Sequence, residues 1–540
     1  MLWTVASFLG FTLAVAAISY WYTRKDRMTS SDAYFLGGRS LTSWVIAGSL
    51  IMTNLSTEHL IGLNGDAFNH TIAVTAWETL AAPALVLTAL YFLPRYLQSG
   101  FATIPEFLAQ RYDQPTRVIA TVLFLFSYVF ARLPVVLLLG AIGLESLFDV
   151  SENLGMTSAR STLVIVWSVG TLGSLYAIFG GLKAVAISDT VNGIGFLAAG
   201  LLVPLLALLA IGDGNAWAGL GEVYTEQRPK FDITGDEPGS FLPMGVLFSG
   251  LIVVQVFAWC TNQEKVQRAL GAKSLAEGQK GVLLGAFFKL LGPFVVVLPG
   301  VLAYHMFKDT LGPQDYVLAY PTLVKAVLPP ALIGLFAAVM VGAILSTFNS
   351  VLNSSATLFS QGIYQALFNK EATGPQMVAS GRVCSIVLAI VTMILAPLID
   401  ASGSLYNYLQ MVNSIFSGPL LAVILLGFLT RYVSAAAAKI GLIAGPIAFY
   451  LLVFSFGDGV QALLKDLFGL GQDVHFLHLL GLVFVLTVGL MVLISRFKPA
   501  DSIYVPTHTG EVDITPWKYR KEASIVICAI TAAFYILLAR

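Results

Sequence analysis

Apolar segments of about 20 residues recur along the whole chain of 540 residues. A helix of that length spans the roughly 30 Å hydrocarbon core of a bilayer. Only 11% of the residues are charged, whereas soluble domains carry about 25%. Backbone polar groups find no water inside lipid, so spanning segments of this kind are expected to be helical. The sequence therefore predicts an all-α polytopic membrane protein.

Hydropathy divides the chain into about fourteen predicted spans. Their ranges are 2–21, 41–65, 72–97, 117–147, 160–180, 184–211, 242–262, 281–306, 328–364, 377–400, 404–429, 434–456, 474–494 and 520–539. The loops between them alternate in charge: acidic loops such as 148–158 and 212–241 separate basic ones such as 263–280. Because basic loops stay in the cytoplasm, the pattern predicts an inner (plasma) membrane protein with both termini outside.

The predicted spans form two groups of five within one transmembrane domain, 1–540. The first group covers 41–211 and the second 242–429, with an extra helix at 2–21 and three more at 434–539. Five is an odd number, so the two groups would lie in opposite orientations. Inverted repeats of this kind place a solute site at the bilayer midplane, where the first helix of each repeat is broken.

A polar stretch interrupts the first helix of the first group, SLIMTNLSTEHLIGLNGD at 49–66. Charged and polar side chains inside a membrane are costly, and they usually mark a pathway or a site in the bundle interior. We therefore interpret this stretch as half of a binding site. The first helix of the second group, 245–265, is interrupted at an equivalent place. The polar members of the first stretch are Thr53, Asn54, Ser56, Thr57, Glu58 and His59.

Other classes of function lack a signal in the sequence. The formal net charge is zero and does not favour nucleic acid as a partner. The three cysteines, Cys260, Cys384 and Cys528, show no metal-ligand spacing. No arrangement of nucleophile, base and oxyanion donors is recognisable. We therefore expect a lipid-embedded protein that binds small solutes, and not an enzyme.

Hydroxyl side chains crowd the ninth predicted span. Ser346 and Thr347 could supply hydroxyl oxygens to a hard cation, and Ala343 a backbone carbonyl if the helix loosens there. The alternative is that these small residues only allow close helix packing. The residues alone leave both interpretations open.

Five long motifs resemble the sodium/solute symporter family, with a pattern similar to bacterial sodium/sugar cotransporters. The resemblance implies a leucine-transporter-like inverted-repeat fold, in which sodium entry drives solute uptake by alternating access. The motifs are DAYFLGGRSL (32–41), FLPRYLQSGFATIPEFLAQRY (92–112), SLYAIFGGLKAVAISD (174–189), NQEKVQRALGAKSLAEGQKG (262–281) and AILSTFNSVLNSSAT (343–357).

The resemblance also implies the ligands for sodium. The backbone carbonyls of Met52 and Leu55 would complete the site with the ninth span. Some family members hold a second sodium ion, for which Asp189 and Ser350 match two ligand positions. Asn349 stands where such relatives more often carry Ser or Thr, so both one and two sodium ions stay open.

A sugar site is implied by the same resemblance. His59 replaces the amide usual in such sugar transporters, while Ala81 and Ala258 stand where some have Ser and Tyr. Specificity for galactose or glucose is therefore not transferred. The matching polar positions are His59, Glu78, Gln255, Lys289 and Gln410, with aromatic neighbours Trp77, Trp259 and Tyr406.

Arg132 lies near the middle of the fourth predicted span. An arginine at this depth requires an anionic partner. In sialic-acid-transporting relatives an arginine at the matching position binds the substrate carboxylate, and the alternative is an internal partner, Glu58 or Glu78. The sequence thus predicts a sodium-coupled symporter for a sugar-like solute, with a carboxylate-bearing solute or a non-translocating sensor as alternatives.

Overall fold

The structure is a computed structural model that describes residues 2–24, 30–235, 241–400, 403–468, 473–500, 504–505 and 509–538. Within these ranges the chain is helical and contains no β-strand, only two isolated bridges, Leu41 with Ala272 and Ser274 with Asp513. Residues 1 and 539–540, at the ends of the predicted domain, lie outside the described ranges.

Thirteen α-helices occupy the described part of the chain before residue 240. They are α1 (Leu2–Thr23), α2 (Ser31–Phe35), α3 (Ser43–Asn54), α4 (Asn64–Asn69), α5 (Ala76–Thr79), α6 (Ala81–Leu87), α7 (Leu93–Ser99), α8 (Ile104–Arg111), α9 (Gln114–Ser127), α10 (Leu133–Phe148), α11 (Val150–Leu154), α12 (Ser158–Ile211) and α13 (Ala216–Glu226).

Thirteen more follow in the described part of the second half. They are α14 (Gly250–Val256), α15 (Gln263–Leu270), α16 (Leu275–Lys289), α17 (Gly292–Val296), α18 (Leu298–Phe307), α19 (Tyr316–Val327), α20 (Pro330–Phe359), α21 (Gly374–Leu395), α22 (Leu405–Leu429), α23 (Ala435–Tyr450), α24 (Gly457–Phe468), α25 (Phe476–Phe497) and α26 (Arg520–Leu538).

Short π-helical and 3₁₀ segments join many of these helices. The π-helical segments are Glu58–Leu63, Thr88–Phe92, Tyr128–Arg132, Phe257–Thr261, Ser360–Phe368 and Leu451–Ser455. The 3₁₀ segments are Gly37–Arg39, Ile72–Thr75, Arg228–Phe231, Met244–Phe248, Pro313–Asp315 and Ala396–Leu398.

Eleven helical stretches in the described residues are long and apolar enough to cross a membrane, and twelve if the bent pair of α16 with α17 and α18 counts as one span. That pair bends by 47°. The predicted all-α polytopic architecture is confirmed at this level. The predicted ranges 41–65 and 242–262 hold shorter helical pieces in place of one continuous helix.

The polar stretch at 49–66 is the place where the helix breaks. Helix α3 ends at Asn54, and Leu55 adopts an extended conformation with φ −76° and ψ 94°. The π-helical segment then begins at Glu58. The last turn of any helix leaves backbone carbonyls without intrahelical partners. Because Met52 and Leu55 are fully buried, these carbonyls must find partners inside the protein.

Helix α3 lies at the centre of the bundle, where it packs against α12, α16 and α20. Close approach depends on small residues at the crossings. A side chain on Gly48 would contact Thr190 of α12, and one on Gly281 of α16 would contact Ile46. These crossings bring the helix break next to the hydroxyl-rich face of α20.

Helix α12 contains two spans, Ser158–Ile178 and Gly180–Ile211, and its backbone leaves the helical conformation at Gly181. Its φ of 62° and ψ of −177° fall in a region that is essentially restricted to glycine. Gly181→Ala should therefore destabilise the protein by about 1–3 kcal/mol. The melting temperature of the purified protein in detergent measures this effect.

Gly221→Ala provides the matched control for Gly181→Ala. Gly221 lies inside α13, and a Cβ there would have no atom within 4 Å. Alanine is the better helix former, so this change should be neutral or slightly stabilising. An equal loss of stability in both variants would contradict a specific backbone requirement at Gly181.

Candidate functional site

A cavity of about 60 Å³ lies beside the break that follows α3. Seven of the nine predicted solute residues line it: His59, Trp77, Arg132, Gln255, Trp259, Tyr406 and Gln410. The other two, Glu78 and Lys289, lie behind His59. Further lining residues, which were not among the predicted solute residues, are Ser127, Tyr128, Asn262, Glu264, Lys265, Asn413 and Ser417.

Glu78 and Lys289 form a buried ion pair. The Lys289 ammonium contacts Glu78 Oε2 and also donates to Asn54 Oδ1, the last side chain of α3. Both charged side chains are almost completely buried. The pair therefore fixes the end of α3 against α5 and α16.

His59 lies between two carboxylates. Its Nε2 is 3.3 Å from Glu78 Oε1, and its Nδ1 is 3.6 Å from Glu58 Oε1. The Tyr406 hydroxyl is 3.5 Å from the same Nε2. A neutral imidazole has one N–H donor and one acceptor nitrogen, so it does not satisfy both carboxylates. A hydroxyl donor from a solute would supply what this arrangement lacks.

Aromatic rings form one wall of the cavity. Gln255 Nε2 donates to the Trp77 carbonyl oxygen at 2.7 Å, and Trp259 Nε1 donates to Gln255 Oε1 at 3.1 Å. The Tyr406 ring lies edge-on to Trp77, with 5.8 Å between the centroids. The C–H face of a sugar ring packs well on aromatic surfaces of this kind.

Arg132 has an internal partner. Its Nη1 is 2.6 Å from Glu58 Oε1, and its Nη2 donates to the Thr53 carbonyl oxygen at 3.1 Å. A second carboxylate, Glu264 Oε1, lies 3.7 Å from Nη2. Of the two partners considered from the sequence, the structure brings Glu58 to the arginine. Glu264 was missed, although its acidic side chain directly follows the NQ of a recognised motif.

The oxygen-rich face of α20 meets the break after α3. Thr347 Oγ1 is 3.3 Å from the Met52 carbonyl oxygen and 3.5 Å from that of Thr53. Ser346 Oγ is buried without a hydrogen-bond partner among the described residues. Helix α20 continues unbroken through Ala343. The Ala343 carbonyl oxygen therefore keeps its helical hydrogen bond and offers a cation only its second lone pair. Neutral oxygens of this type suit a hard cation such as sodium.

The residues matched to a second sodium are only partly brought together. Asp189 Oδ2 accepts a hydrogen bond from Ser49 Oγ at 2.6 Å. The Arg268 guanidinium donates to Ser350 Oγ, which is also 3.2 Å from Thr53 Oγ1. Asn349 lines a different cavity, of about 100 Å³, between α1, α12 and α20. The Arg268 guanidinium thus already contacts Ser350, the one hydroxyl ligand predicted for a second sodium ion.

The chain is similar to known sodium symporters over most of its length. The sequence model of the sodium:solute symporter family matches residues 34–445. The uncharacterised symporter YidK of Escherichia coli K12 is 43% identical over 540 residues, covering 99% of this chain and 91% of YidK. The sodium/glucose cotransporter of Vibrio parahaemolyticus is 32% identical over 463 residues, covering 82% of this chain and 83% of its own length.

A solved structure shows the same fold. A Na⁺-coupled sialic acid symporter in a substrate-bound, outward-open state superposes with a TM-score of 0.76 at 19% identity, covering 93% of this chain and 99% of that one. The leucine-transporter-like fold implied by the motifs is confirmed, as is sodium as the coupling ion. The chain belongs to the sodium:solute symporter family.

Proposed function

We propose that this protein imports a sugar-like, hydroxylated solute together with sodium by alternating access. Sodium-coupled symport follows from the family; the solute class rests on the cavity. The observation that carries the proposal is the shared position of both sites on one helix break. Backbone oxygens of Met52 and Thr53 face Thr347, while the side chain of His59 lines the solute cavity.

Coupling follows from that shared position. Sodium bound between Met52, Leu55, Ala343, Ser346 and Thr347 would tie the break to α20. The break would then hold His59 in place for the solute. A ligand shifts an equilibrium only by its difference in affinity between the two states. Sodium that favours the outward-open state thus raises the apparent affinity for a solute that binds this state.

The proposed architecture has fourteen spans with a five-plus-five inverted repeat. The eleven continuous spans and the bent pair account for twelve. The predicted ranges 41–65 and 242–262 supply the other two, each interrupted by a π-helical segment. The repeats are 41–211 and 242–429, with accessory helices at 2–21 and 434–539. An even number of spans keeps both termini on one face, the outer face of the inner (plasma) membrane by loop charge.

A pyranose-like ring is the solute that the cavity suits best. Gln255 and Gln410 offer amide groups, and His59 presents a nitrogen flanked by carboxylates. The aromatic wall of Trp77, Trp259 and Tyr406 packs against the ring. Side chains of this kind bind hydroxyl groups in mostly apolar pockets.

We propose a single sodium ion per transport cycle. The Arg268 guanidinium contacts Ser350 and provides a positive charge where a second sodium would need an oxygen ligand. Asn349 lies at another cavity. The dependence of solute flux on sodium concentration tests this stoichiometry. We expect a Hill coefficient near one, and a value near two would contradict a single sodium ion.

Recognition of a solute carboxylate through Arg132 and sensing without transport have less support. Arg132 binds Glu58 at 2.6 Å, so its charge is already compensated without a substrate carboxylate. A sensor that binds solute without moving it would show no counterflow in proteoliposomes, whereas a symporter exchanges labelled for unlabelled solute. Counterflow thus separates transport from sensing.

A thermal-shift screen of the purified chain tests the proposed function. Monosaccharides, sugar acids and amino acids are each added with sodium chloride or potassium chloride. A true ligand stabilises the folded protein by mass action, by about 2.7 kcal/mol at 100 times its Kd. We expect a sugar-like compound to raise the melting temperature in sodium only. Equal shifts in both salts, or a shift with amino acids alone, would contradict the proposal.

A further inference from the structure

One cation in the central cavity has no anionic partner. Lys265, on α15, lines the cavity and is 6% exposed. Across the described ranges its ammonium forms no hydrogen bond and no ion pair within 4.0 Å. The ammonium lies over the ring of Trp259, with Nζ 4.3 Å from the centroid. The other two cations at this site, Arg132 and Lys289, each contact a carboxylate.

The adjacent carboxylate, Glu264, forms no ion pair with Lys265 within 4.0 Å in the described part of the chain. Glu264 precedes it in the chain, yet the closest cation to Glu264 Oε1 is Arg132, at 3.7 Å. An ammonium group has three donors and no acceptor. Buried charges are normally paired because an uncompensated one costs several kcal/mol. A buried lysine at a ligand cavity that has no carboxylate within ion-pair distance indicates that the ligand supplies the anionic group.

Trp259 positions the ammonium. The indole lies between two lysines, with Lys289 Nζ 5.5 Å from the same ring, and its N–H is fixed by Gln255. An ammonium over an indole face is attracted by the ring quadrupole. The contact holds Lys265 at the cavity wall but leaves its donors free for an oxyanion.

We propose that Lys265 binds a carboxylate on the solute, so that the imported compound is a hydroxylated ring acid with one negative charge. This rests on the proposed function and narrows its substrate class. Arg132 and Lys289 are each paired with a carboxylate, which leaves Lys265 as the lysine available to a solute carboxylate at this cavity. The positive charge that sodium brings into the site also favours an anionic solute.

This assignment differs from recognition through Arg132. The Arg132 guanidinium forms an ion pair with Glu58 and donates a hydrogen bond to the Thr53 carbonyl oxygen. A substrate carboxylate there would compete with Glu58. At Lys265 the same carboxylate meets an ammonium that has no competitor. The loaded site then holds sodium and anion together, which makes binding of one favour binding of the other.

The experiment measures sodium-dependent binding of three matched probes to the full chain: a hexose, the hexuronate derived from it, and its 6-phosphate. We expect the hexuronate to bind best to the unaltered protein. Lys265→Met keeps the aliphatic stem over Trp259 and should weaken hexuronate binding by about 10- to 100-fold, the range for a hydrogen bond to a charged group. Hexose binding should change little, and Lys265→Arg should restore most of the hexuronate affinity.

Three results would overturn the inference. One is a preference of the unaltered protein for the neutral hexose, and another is a preference for the phosphate ester. The third is an equal loss of hexose and hexuronate binding in Lys265→Met, which would indicate that the lysine only supports Trp259. The thermal stabilisation of the unaltered protein by sodium alone distinguishes a failure of the Lys265 assignment from a failure of the proposed function. If sodium does not stabilise the protein, the proposed function fails. If sodium does stabilise it, only the assignment of Lys265 fails. Should Lys265→Met not fold, the preference among probes in the unaltered protein decides.

Discussion

Replacing both Ser346 and Thr347 with alanine is expected to abolish the sodium dependence of solute uptake. Thr347 Oγ1 faces the Met52 carbonyl, and Ser346 Oγ has no hydrogen-bond partner within the described residues. Removing both hydroxyls leaves too few oxygen ligands for a hard cation. We expect the apparent sodium affinity to fall at least about 100-fold, since even groups that only support metal ligands contribute 10- to 100-fold. Uptake in proteoliposomes over a range of sodium concentrations measures this.

Ser355→Ala is the matched control. Ser355 lies on the same helix, is equally buried and also has a hydroxyl without a hydrogen-bond partner among the described residues. It lies about two turns beyond Thr347, away from the helix break. Its replacement should leave the sodium dependence unchanged. Unchanged sodium dependence in the Ser346→Ala/Thr347→Ala variant would rule out the assigned sodium site.

Breaking the ion pair of Arg132 with Glu58 is expected to destabilise the protein strongly. Arg132→Gln leaves the Glu58 carboxylate buried without its closest cation, and losses of about 3–5 kcal/mol are typical of such changes. We expect a large drop in melting temperature and loss of sodium-dependent solute binding. The cause is that Glu58 starts the π-helical segment that carries His59.

The double variant Glu58→Gln/Arg132→Gln removes both charges at once. It should recover much of the stability lost in Arg132→Gln, because no uncompensated charge remains. The double variant should also keep its preference for a hexuronate, since Lys265 is intact. Additive losses would show that the two side chains do not act as a pair. Loss of hexuronate binding alone would identify Arg132 as the carboxylate ligand.

Much of the fold could be predicted because membrane helices are encoded locally. The apolar runs have the length of the bilayer, and their predicted limits agree with helices such as α22 (Leu405–Leu429) and α25 (Phe476–Phe497) within a few residues. The polar stretch at 49–66 could be recognised as a broken helix because polar residues in lipid need a special reason. The structure places that break between Asn54 and Glu58.

The pairing of the site residues could be predicted only in part, because the partners come from distant parts of the chain. For Arg132 the sequence left both Glu58 and Glu78 open. Glu58 and Arg132 meet because the π-helical segment Glu58–Leu63 packs against α10, which directly follows Arg132. The contact of Arg268 with Ser350 depends on how α15 meets α20. In the sequence, Lys265 looked like one of several basic residues in a cytoplasmic loop. Its place at the cavity wall becomes visible only when α15 is seen to continue from the broken helix 244–261.

In the proposed mechanism the helix break after α3 serves both the sodium site and the solute site. Its backbone carbonyls face α20, and its side chains face the solute cavity. Glu58, one of the two internal partners considered for Arg132 from the sequence, fixes the break to that arginine. We therefore expect a change at one face of the break to affect the other face, only a few residues away.

The most direct test of sodium-coupled import is uptake of the identified solute into proteoliposomes under an imposed sodium gradient. The labelled solute is followed with sodium chloride outside and potassium chloride inside, and again with the two salts exchanged for choline chloride. We expect uptake to rise transiently above its equilibrium level with an inward sodium gradient and to collapse when the gradient is dissipated by an ionophore. Accumulation to the same level without a sodium gradient would contradict the account.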